Sequence, residues 1–260
     1  MGEAEKAERG LTADWWVTDI GNSRTKSGFF PQNAAPSFFV HEPGWMMPAS
    51  FPPRPPTRTA VASVNSLELK EWLHALELAG SDVRLVLESD GSIFKRGFAT
   101  TDVDAPQTTG VDRVLACLGA LRELPKKTVI VVDCGTATTV NVMTADRCFR
   151  GGVIMPGRRL LAKALHDGTA ALPEVLPDVR EIGFGKSTEA SLQAGIAASM
   201  IGGIREAVAT AKKEFADVEV LLTGGDAEFV HVAIPEFRRE PHLTLHGLHW
   251  YATQSVDTSK

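Results

Sequence analysis

Two stretches of this chain are written alike. VTDIGNSRTK begins at Val17, and VVDCGTATTV begins at Val131. Each runs an apolar strand pattern into Asp, one further residue, Gly, and then small polar side chains. A strand that closes on a carboxylate and a tight turn presents that carboxylate at a sheet edge. Doing so twice, more than a hundred residues apart, points to one sheet-and-turn unit used twice.

The surrounding patterns agree. Trp15 to Ile20 reads as a short strand, with Gly28 to Phe30 and Ser37 to Val40 as the next strands of a meander. Residues 41–58 are proline-rich and aperiodic and read as a loop, in which Trp45, Met46 and Met47 suit cover for a core edge. Thr59 to Val64 is a buried-strand pattern. Asn65 to Leu78 reads as a helix, Val83 to Leu87 as a strand, and Gly110 to Leu121 as an amphipathic helix with Val111, Val114, Leu115, Leu118 and Leu121 on one stripe. The second half restarts the series with strands at Thr128 to Val132, Thr139 to Thr144 and Cys148 to Met155. Helices come next at Arg159 to His166 and from Thr188 to about Phe215, then a strand at Val218 to Leu222. The fold class is therefore α/β, duplicated, with mixed sheets. The expected division is a flexible tail over 1–13, one half over 14–122 and a second over 123–260.

The bulk numbers bound the function. A chain of 260 residues makes one large or two small domains of roughly 100–200 residues each. A net charge of -5 gives no reason to expect a nucleic-acid partner, although backbone amides can still bind a small anion. The 3 cysteines, Cys117, Cys134 and Cys148, have neither disulfide nor zinc spacing, which fits a reducing cytoplasm. The charged N-terminus has no signal-peptide pattern, and no apolar run approaches the ~20 residues of a membrane span.

Five places carry candidate chemistry. In the first turn, Asp19, Ile20, Gly21, Asn22, Ser23, Arg24, Thr25 and Lys26 combine a strand-end carboxylate, a Gly-Asn turn suited to positive φ, hydroxyls and two cations. That set can surround phosphate oxygens, with Asp19 near Mg²⁺ through water; it also suits an ordinary Asx turn. At Gly110, Val111, Asp112 and Arg113 a helix starts. The dipole there favours Asp112 but not Arg113, so the pair also suits a general base beside an anion anchor. In the second turn, Asp133 to Thr139 bring three threonines and a Gly at a strand end that can bracket phosphates from the other side, although β-propensity alone also explains Thr138 and Thr139. Gly151 to Gly157 and Thr223 to Glu228 place paired glycines after strands. Finally, Ser187 or Thr188 is the expected N-cap of the long helix. Small residues along that helix, among them Ala194, Gly195, Ala198 and Gly202, suggest close helix packing. The histidines have no metal-ligand spacing, Cys134 is an unpromising nucleophile, and no Walker pattern is present.

In this order, Asp-Ile-Gly-Asn-Ser, Gly-Val-Asp-Arg, Asp-Cys-Gly-Thr-Ala-Thr-Thr, Gly-Gly-Val-Ile-Met-Pro-Gly, Gly-Lys-Ser-Thr and Thr-Gly-Gly resemble the type III pantothenate kinases, from about residue 15 to HLTLHGL near the end. The resemblance implies the actin-like and sugar-kinase-like ATPase fold, with two ribonuclease-H-like halves facing across a cleft. It implies ATP-dependent phosphorylation of pantothenate, the first step of coenzyme A synthesis. Residues 19–26 and Thr136 would hold ATP, with Mg²⁺ near Asp19. Gly110, Val111, Asp112, Arg113 and Thr188 would contact pantothenate, Asp112 being the general base. Asp133 would bind a monovalent cation, K⁺ or NH₄⁺. A cytoplasmic homodimer, with no nucleic acid and no membrane, completes the implied picture. The sequence departs from the family at Val103, where Tyr is usual, at Cys134, where Phe is usual, and at Asn141, where Asp is usual. A same-fold kinase for another small alcohol, or a non-catalytic regulatory protein of this fold, are the other readings.

Overall fold

The computed structural model describes residues 14–41, 57–178 and 183–256. The expected flexible tail and the expected cover by Trp45, Met46 and Met47 lie outside the described residues. In chain order the elements are β1 (Trp15–Ile20), β2 (Thr25–Phe30), β3 (Ser37–His41), β4 (Arg58–Ser63), α1 (Ser66–Leu78), β5 (Asp82–Glu88), α2 (Ser92–Lys95), β6 (Thr100–Thr101), α3 (Val111–Glu123), β7 (Thr128–Cys134), β8 (Ala137–Met143), β9 (Cys148–Pro156), α4 (Arg158–Asp167), α5 (Thr188–Glu214), β10 (Val218–Thr223), α6 (Ala227–Ala233), β11 (Arg238–Arg239) and α7 (Leu243–Val256). Strand β2 starts at Thr25 rather than Gly28, because Thr25 and Lys26 already pair with Ile20 and Asp19.

The chain divides into two compact units. In the first, the strand order is β3-β2-β1-β4-β5. The β1–β2 and β2–β3 pairs are antiparallel, whereas β1–β4 and β4–β5 are parallel. One sheet face packs on α1, where Ile20 and Val61 meet Leu69, Trp72 and Leu76. Helix α1 starts where it does because Asn65 caps it, its Oδ1 accepting the Glu68 N–H at 3.3 Å. Helix α7 packs on β1, β2, β4 and β5 and lies against α3.

The second unit repeats this plan. The order β9-β8-β7-β10-β11 matches β3-β2-β1-β4-β5 strand for strand. Strand β7 is antiparallel to β8 and parallel to β10, as β1 is to β2 and β4. Asp19 and Asp133 are each the penultimate residue of the equivalent strand. The core joins Ile130, Val132, Val140 and Leu222 to Met200 and Ile204 of α5 and to Phe229 and Val230 of α6. The duplication expected from two turns is thus present in topology.

The division differs from 14–122 and 123–260 at its end. Residues His242 onward group with the first unit, as do Arg147–Phe149, where the start of β9 pairs with β6. The cause is α7, a helix that sequence patterning did not reveal. Its Leu243, Leu245, Leu248, Tyr251 and Ala252 are all buried, so it carries no simple amphipathic stripe. Helices α3 and α7 approach until backbone meets backbone. A Cβ on Gly119 would collide with the Leu243 carbonyl, and one on Gly247 with the Leu115 carbonyl.

Gly247→Ala is therefore expected to lower unfolding free energy by at least about 1–3 kcal/mol, the usual cost of overpacking. A urea titration followed by far-UV circular dichroism reads this out; an unchanged midpoint would contradict the close crossing.

Candidate functional site

The first turn belongs to the first unit. Asp19 is the penultimate residue of β1 and is 7% exposed. Lys26 stands opposite it across the β1–β2 pair, so both side chains leave the same sheet face. Asn22, Ser23 and Arg24 form the exposed tip. The turn does not use positive φ, contrary to expectation, at either Gly21 or Asn22. It closes instead through the Gly21 N–H, which donates to the Arg24 carbonyl at 3.1 Å. A Cβ at Gly21 would stand 2.9 Å from that same oxygen, which is why glycine is needed.

Strand alternation splits the stretch 19–26 between two faces. Ile20 points into the α1 core. Thr25, 2% exposed, donates its hydroxyl to Glu68 Oε1 at 2.6 Å. Glu68 also takes the Asn65 side-chain amide at 3.4 Å, so the cap of α1 and the hairpin are tied together. The side chains of Ile20 and Thr25 are thus internal, and sequence reading missed Glu68 as their anchor.

Helix α3 supplies the second group of the first unit. Its start is held by the Val111 N–H, which donates to Ser89 Oγ at 3.1 Å. Val111 is fully buried, so only its backbone is available to a ligand. Asp112 and Arg113 are partly exposed. Burial pushes the Asp112 carboxyl above the ordinary range, opposed by the Arg113 N–H, the Arg113 charge and, more weakly, Lys26. The Arg113 N–H donates to Asp112 Oδ1 at 2.9 Å, and its guanidinium lies 5.5 Å from the Phe149 ring centroid. Lys26 is therefore the link between groups far apart in sequence, facing Asp19 across the hairpin and acting electrostatically on Asp112.

His242, just before α7, and His249 within it are aromatic partners. His242 stacks on Phe38 at 4.0 Å and His249 on Phe30 at 4.2 Å. Desolvation first, then Arg122 and His246, push His249 down to about 3, so it stays neutral.

In the second unit, Asp133 pairs with Thr139 on β8 and Thr223 on β10. The two glycine motifs converge on this turn. Gly157 donates its N–H to the Thr136 carbonyl at 3.0 Å, and Asp226 donates its N–H to the Cys134 carbonyl at 2.9 Å. Gly224 has φ +96, and a Cβ there would stand 2.5 Å from Asp133 Oδ1, so only glycine lets the β10 loop approach the carboxylate. Arg158, which sequence reading passed over, and Asp226, read only as part of a glycine turn, form an ion pair of 2.6 Å. Cys134 is buried, and desolvation, then Asp133 and Asp226, raise its thiol well above the ordinary value, in keeping with an inert role. Asn141, fully buried, donates Nδ2 to Thr139 Oγ1 at 2.9 Å. Thr188 is exposed at the first turn of α5, behind its Ser187 cap, and lines an open pocket of about 740 Å³ with Leu165 and Leu172.

Among the described residues no cluster of three or more His, Cys, Asp or Glu side chains is placed to bind a metal. A hydrated Mg²⁺ needs no such cluster, and a single buried strand-end carboxylate such as Asp19, beside an exposed turn, fits one. Asp133, with Thr139 and Thr223 as its strand partners and the Cys134 carbonyl beside Gly224, has neighbours of the hard oxygen type a monovalent cation takes.

Residues 16–210 match the family model for type III pantothenate kinase. The type III pantothenate kinase of Herminiimonas arsenicoxydans is 33% identical over 215 residues, covering 78% of this chain and 80% of that protein. A conserved protein from Campylobacter jejuni assigned to the Baf family of transcriptional activators is similar in structure, with TM-score 0.58, 20% identity and coverage of 92% and 98%. The (R)-2-hydroxyglutaryl-CoA dehydratase component A of Acidaminococcus fermentans gives TM-score 0.53 at 13% identity, with coverage of 95% and 99%. At such identities the structural likeness is one of fold, the duplicated ribonuclease-H-like architecture of the actin- and sugar-kinase-like ATPases.

Thr25→Val is expected to cost about 1.5–3 kcal/mol, since its bond is to a charged acceptor. Glu68→Gln should cost less, and a double-mutant cycle by urea unfolding should show the two effects to be coupled rather than additive.

Proposed function

The chain belongs to the type III pantothenate kinase family, and we infer that it transfers the γ-phosphoryl group of ATP to pantothenate, giving 4′-phosphopantothenate and ADP, the entry to coenzyme A synthesis. The observation that carries the residue assignment is Asp112 held by the Arg113 N–H at the start of α3, with Lys26 opposite Asp19 and within electrostatic range of Asp112. A base, an anion anchor and a phosphate-seeking cation are what transfer to an alcohol requires.

Asp112 is assigned as the general base. The pantothenate hydroxyl oxygen bonds to the γ-phosphorus, the bond to the β-phosphate oxygen breaks, and the hydroxyl proton passes to Asp112. Burial makes this carboxylate a better proton acceptor than an exposed one, while the Arg113 N–H and charge favour its ionised form. Arg113 anchors the pantothenate carboxylate. Gly110 and the Val111 backbone line the same substrate site. Lys26 and the tip Asn22, Ser23 and Arg24 take the ATP phosphates, with Gly21 allowing their approach. The family uses ATP with a divalent cation; Mg²⁺ near Asp19 supplies charge neutralisation of the phosphates.

For the second unit, we assign Thr136 to ATP, Thr188 to pantothenate and Asp133 to K⁺ or NH₄⁺. With neutral Asn141 in the usual Asp position, Asp133 and Asp226 are the carboxylates beside that turn. Val103 replaces the usual Tyr, and its N–H donates to Thr101 Oγ1 at 3.2 Å, so this position offers pantothenate no hydroxyl. A cytoplasmic homodimer is the proposed working form, supported by exposed Val153 and Ile154 on β9.

ADP release with pantothenate, ATP-Mg²⁺ and either K⁺ or Na⁺ tests the reading. Wild type is expected to turn over, and turnover with another alcohol alone would replace pantothenate by that alcohol. Asp112→Asn is expected to lower kcat by about 10²–10⁴-fold. Because the base must be ionised, kcat/KM should rise with pH through the raised Asp112 pKa. The stability effect runs the other way. A raised folded-state pKa stabilises the fold below the ordinary carboxylate range and loses that contribution as pH rises through the folded value. Asp112→Asn should therefore melt no lower than wild type at neutral pH.

A further inference from the structure

We propose that Arg158 and Asp226 are a positioning pair that holds the second Asp-x-Gly turn in its ATP-binding shape, an inference that rests on the assignment of Thr136 and Asp133 to ATP and a cation. Each residue of the pair sits at a loop that already grips the turn. Beside Arg158, the Gly157 N–H donates to the Thr136 carbonyl at 3.0 Å; at Asp226, its own N–H donates to the Cys134 carbonyl at 2.9 Å. These carbonyls flank Gly135 on either side. The Arg158 Nη2 to Asp226 Oδ1 contact at 2.6 Å joins the two loops to each other. Turn, β9–α4 loop and β10–α6 loop therefore close into one ring, and the ion pair is its only side-chain link among these three contacts.

The guanidinium is itself held in place. Its Nη1 donates to the Pro177 carbonyl at 2.9 Å, and its centre lies 5.0 Å from the Phe229 ring centroid. The side chains are 18% and 15% exposed, so the pair is largely withdrawn from solvent. A buried ion pair is weak evidence for stability, because apolar residues of the same volume often serve as well, but it can specify one geometry. Here it also sets charge. Asp133 and Asp226 both act on Cys134 and so lie beside the same turn. Arg158 neutralises Asp226. Without it, two carboxylates would face an approaching polyphosphate.

The consequence is specific to one substrate. Arg158→Met is expected to raise KM for ATP about tenfold or more, with KM for pantothenate unchanged within about twofold. Asp226→Asn, which loosens the ring but adds no unneutralised carboxylate and leaves the Pro177 contact, should raise it about threefold. The double variant should resemble Asp226→Asn rather than Arg158→Met, because the offending carboxylate is gone. A purely structural pair would instead lower the melting temperature and the active fraction while leaving KM for ATP alone, and that result would overturn the proposal. So would equal shifts in both KM values. If Arg158→Met does not fold, Arg158→Lys keeps the charge but not the planar fork; an intermediate rise in KM for ATP supports the pair, and no rise overturns it. If wild type turns over no alcohol, the kinase reading fails separately, and equilibrium dialysis of ATP-Mg²⁺ with the same variants decides the pair. Weaker binding in the order given supports it. Unchanged binding, or a wild type that binds no ATP-Mg²⁺, overturns it.

Discussion

The parallel pairing of a central strand with the strand beyond its meander, β1 with β4 and β7 with β10, governs the rest of the structure. Parallel neighbours bring their C-terminal ends to the same sheet edge, which is where open α/β sheets collect their ligands. Asp19 pairs with Ala62 near the end of the first such pair, and Asp133 with Thr223 near the end of the second. The antiparallel partner then returns the chain past the carboxylate, placing Lys26 opposite Asp19 and Thr139 opposite Asp133. One arrangement of strands thus produces two turns with different chemistry, one cationic and one hydroxyl-rich.

The first pairing imposes a division of labour across the sheet. Successive side chains leave opposite faces, so Asp19 and Lys26 share a face while Ile20 and Thr25 belong to the α1 side. The core on that side fixes the hairpin through Thr25 and Glu68, while the opposite face packs on α7, where Phe30 stacks on His249, with Asp19 and Lys26 at its turn end. Helix α3 brings Asp112 into reach of Lys26, and α7 braces α3 through the Gly119 and Gly247 contacts. A helix with no ligand-facing residue assigned to it thereby supports the position of Asp112.

The duplicated α/β plan was legible because each strand is an apolar run that ends in turn residues, and because α1 and α3 keep an apolar stripe. Most of the candidate residues were legible for the same reason, as each closes a strand or opens a helix. Helix α7 was not. It is buried on several sides, so LTLHGLHW alternates and clusters its apolar residues without a 3.6-residue period. The internal placement of Thr25 and the full burial of Val111 were likewise invisible, since burial depends on which neighbour covers a face. Arg158 fell outside the helix read from Arg159, and Asp226 read only as part of a glycine turn; only their 2.6 Å contact gives them a shared role.

By itself, then, the sequence determined the local grammar: where strands stop, which turns carry Asp-x-Gly, and that the unit occurs twice. Those features arise from propensity, periodicity and turn chemistry, which act over a few residues. Tertiary structure decided which face each residue serves, that Lys26 acts on Asp112, that residues from His242 onward join the first unit, and that two glycine loops are tied by an ion pair around the second turn. Those are contacts between residues tens to more than a hundred positions apart. They come from burying apolar surface and pairing charges in three dimensions, and no local pattern encodes them.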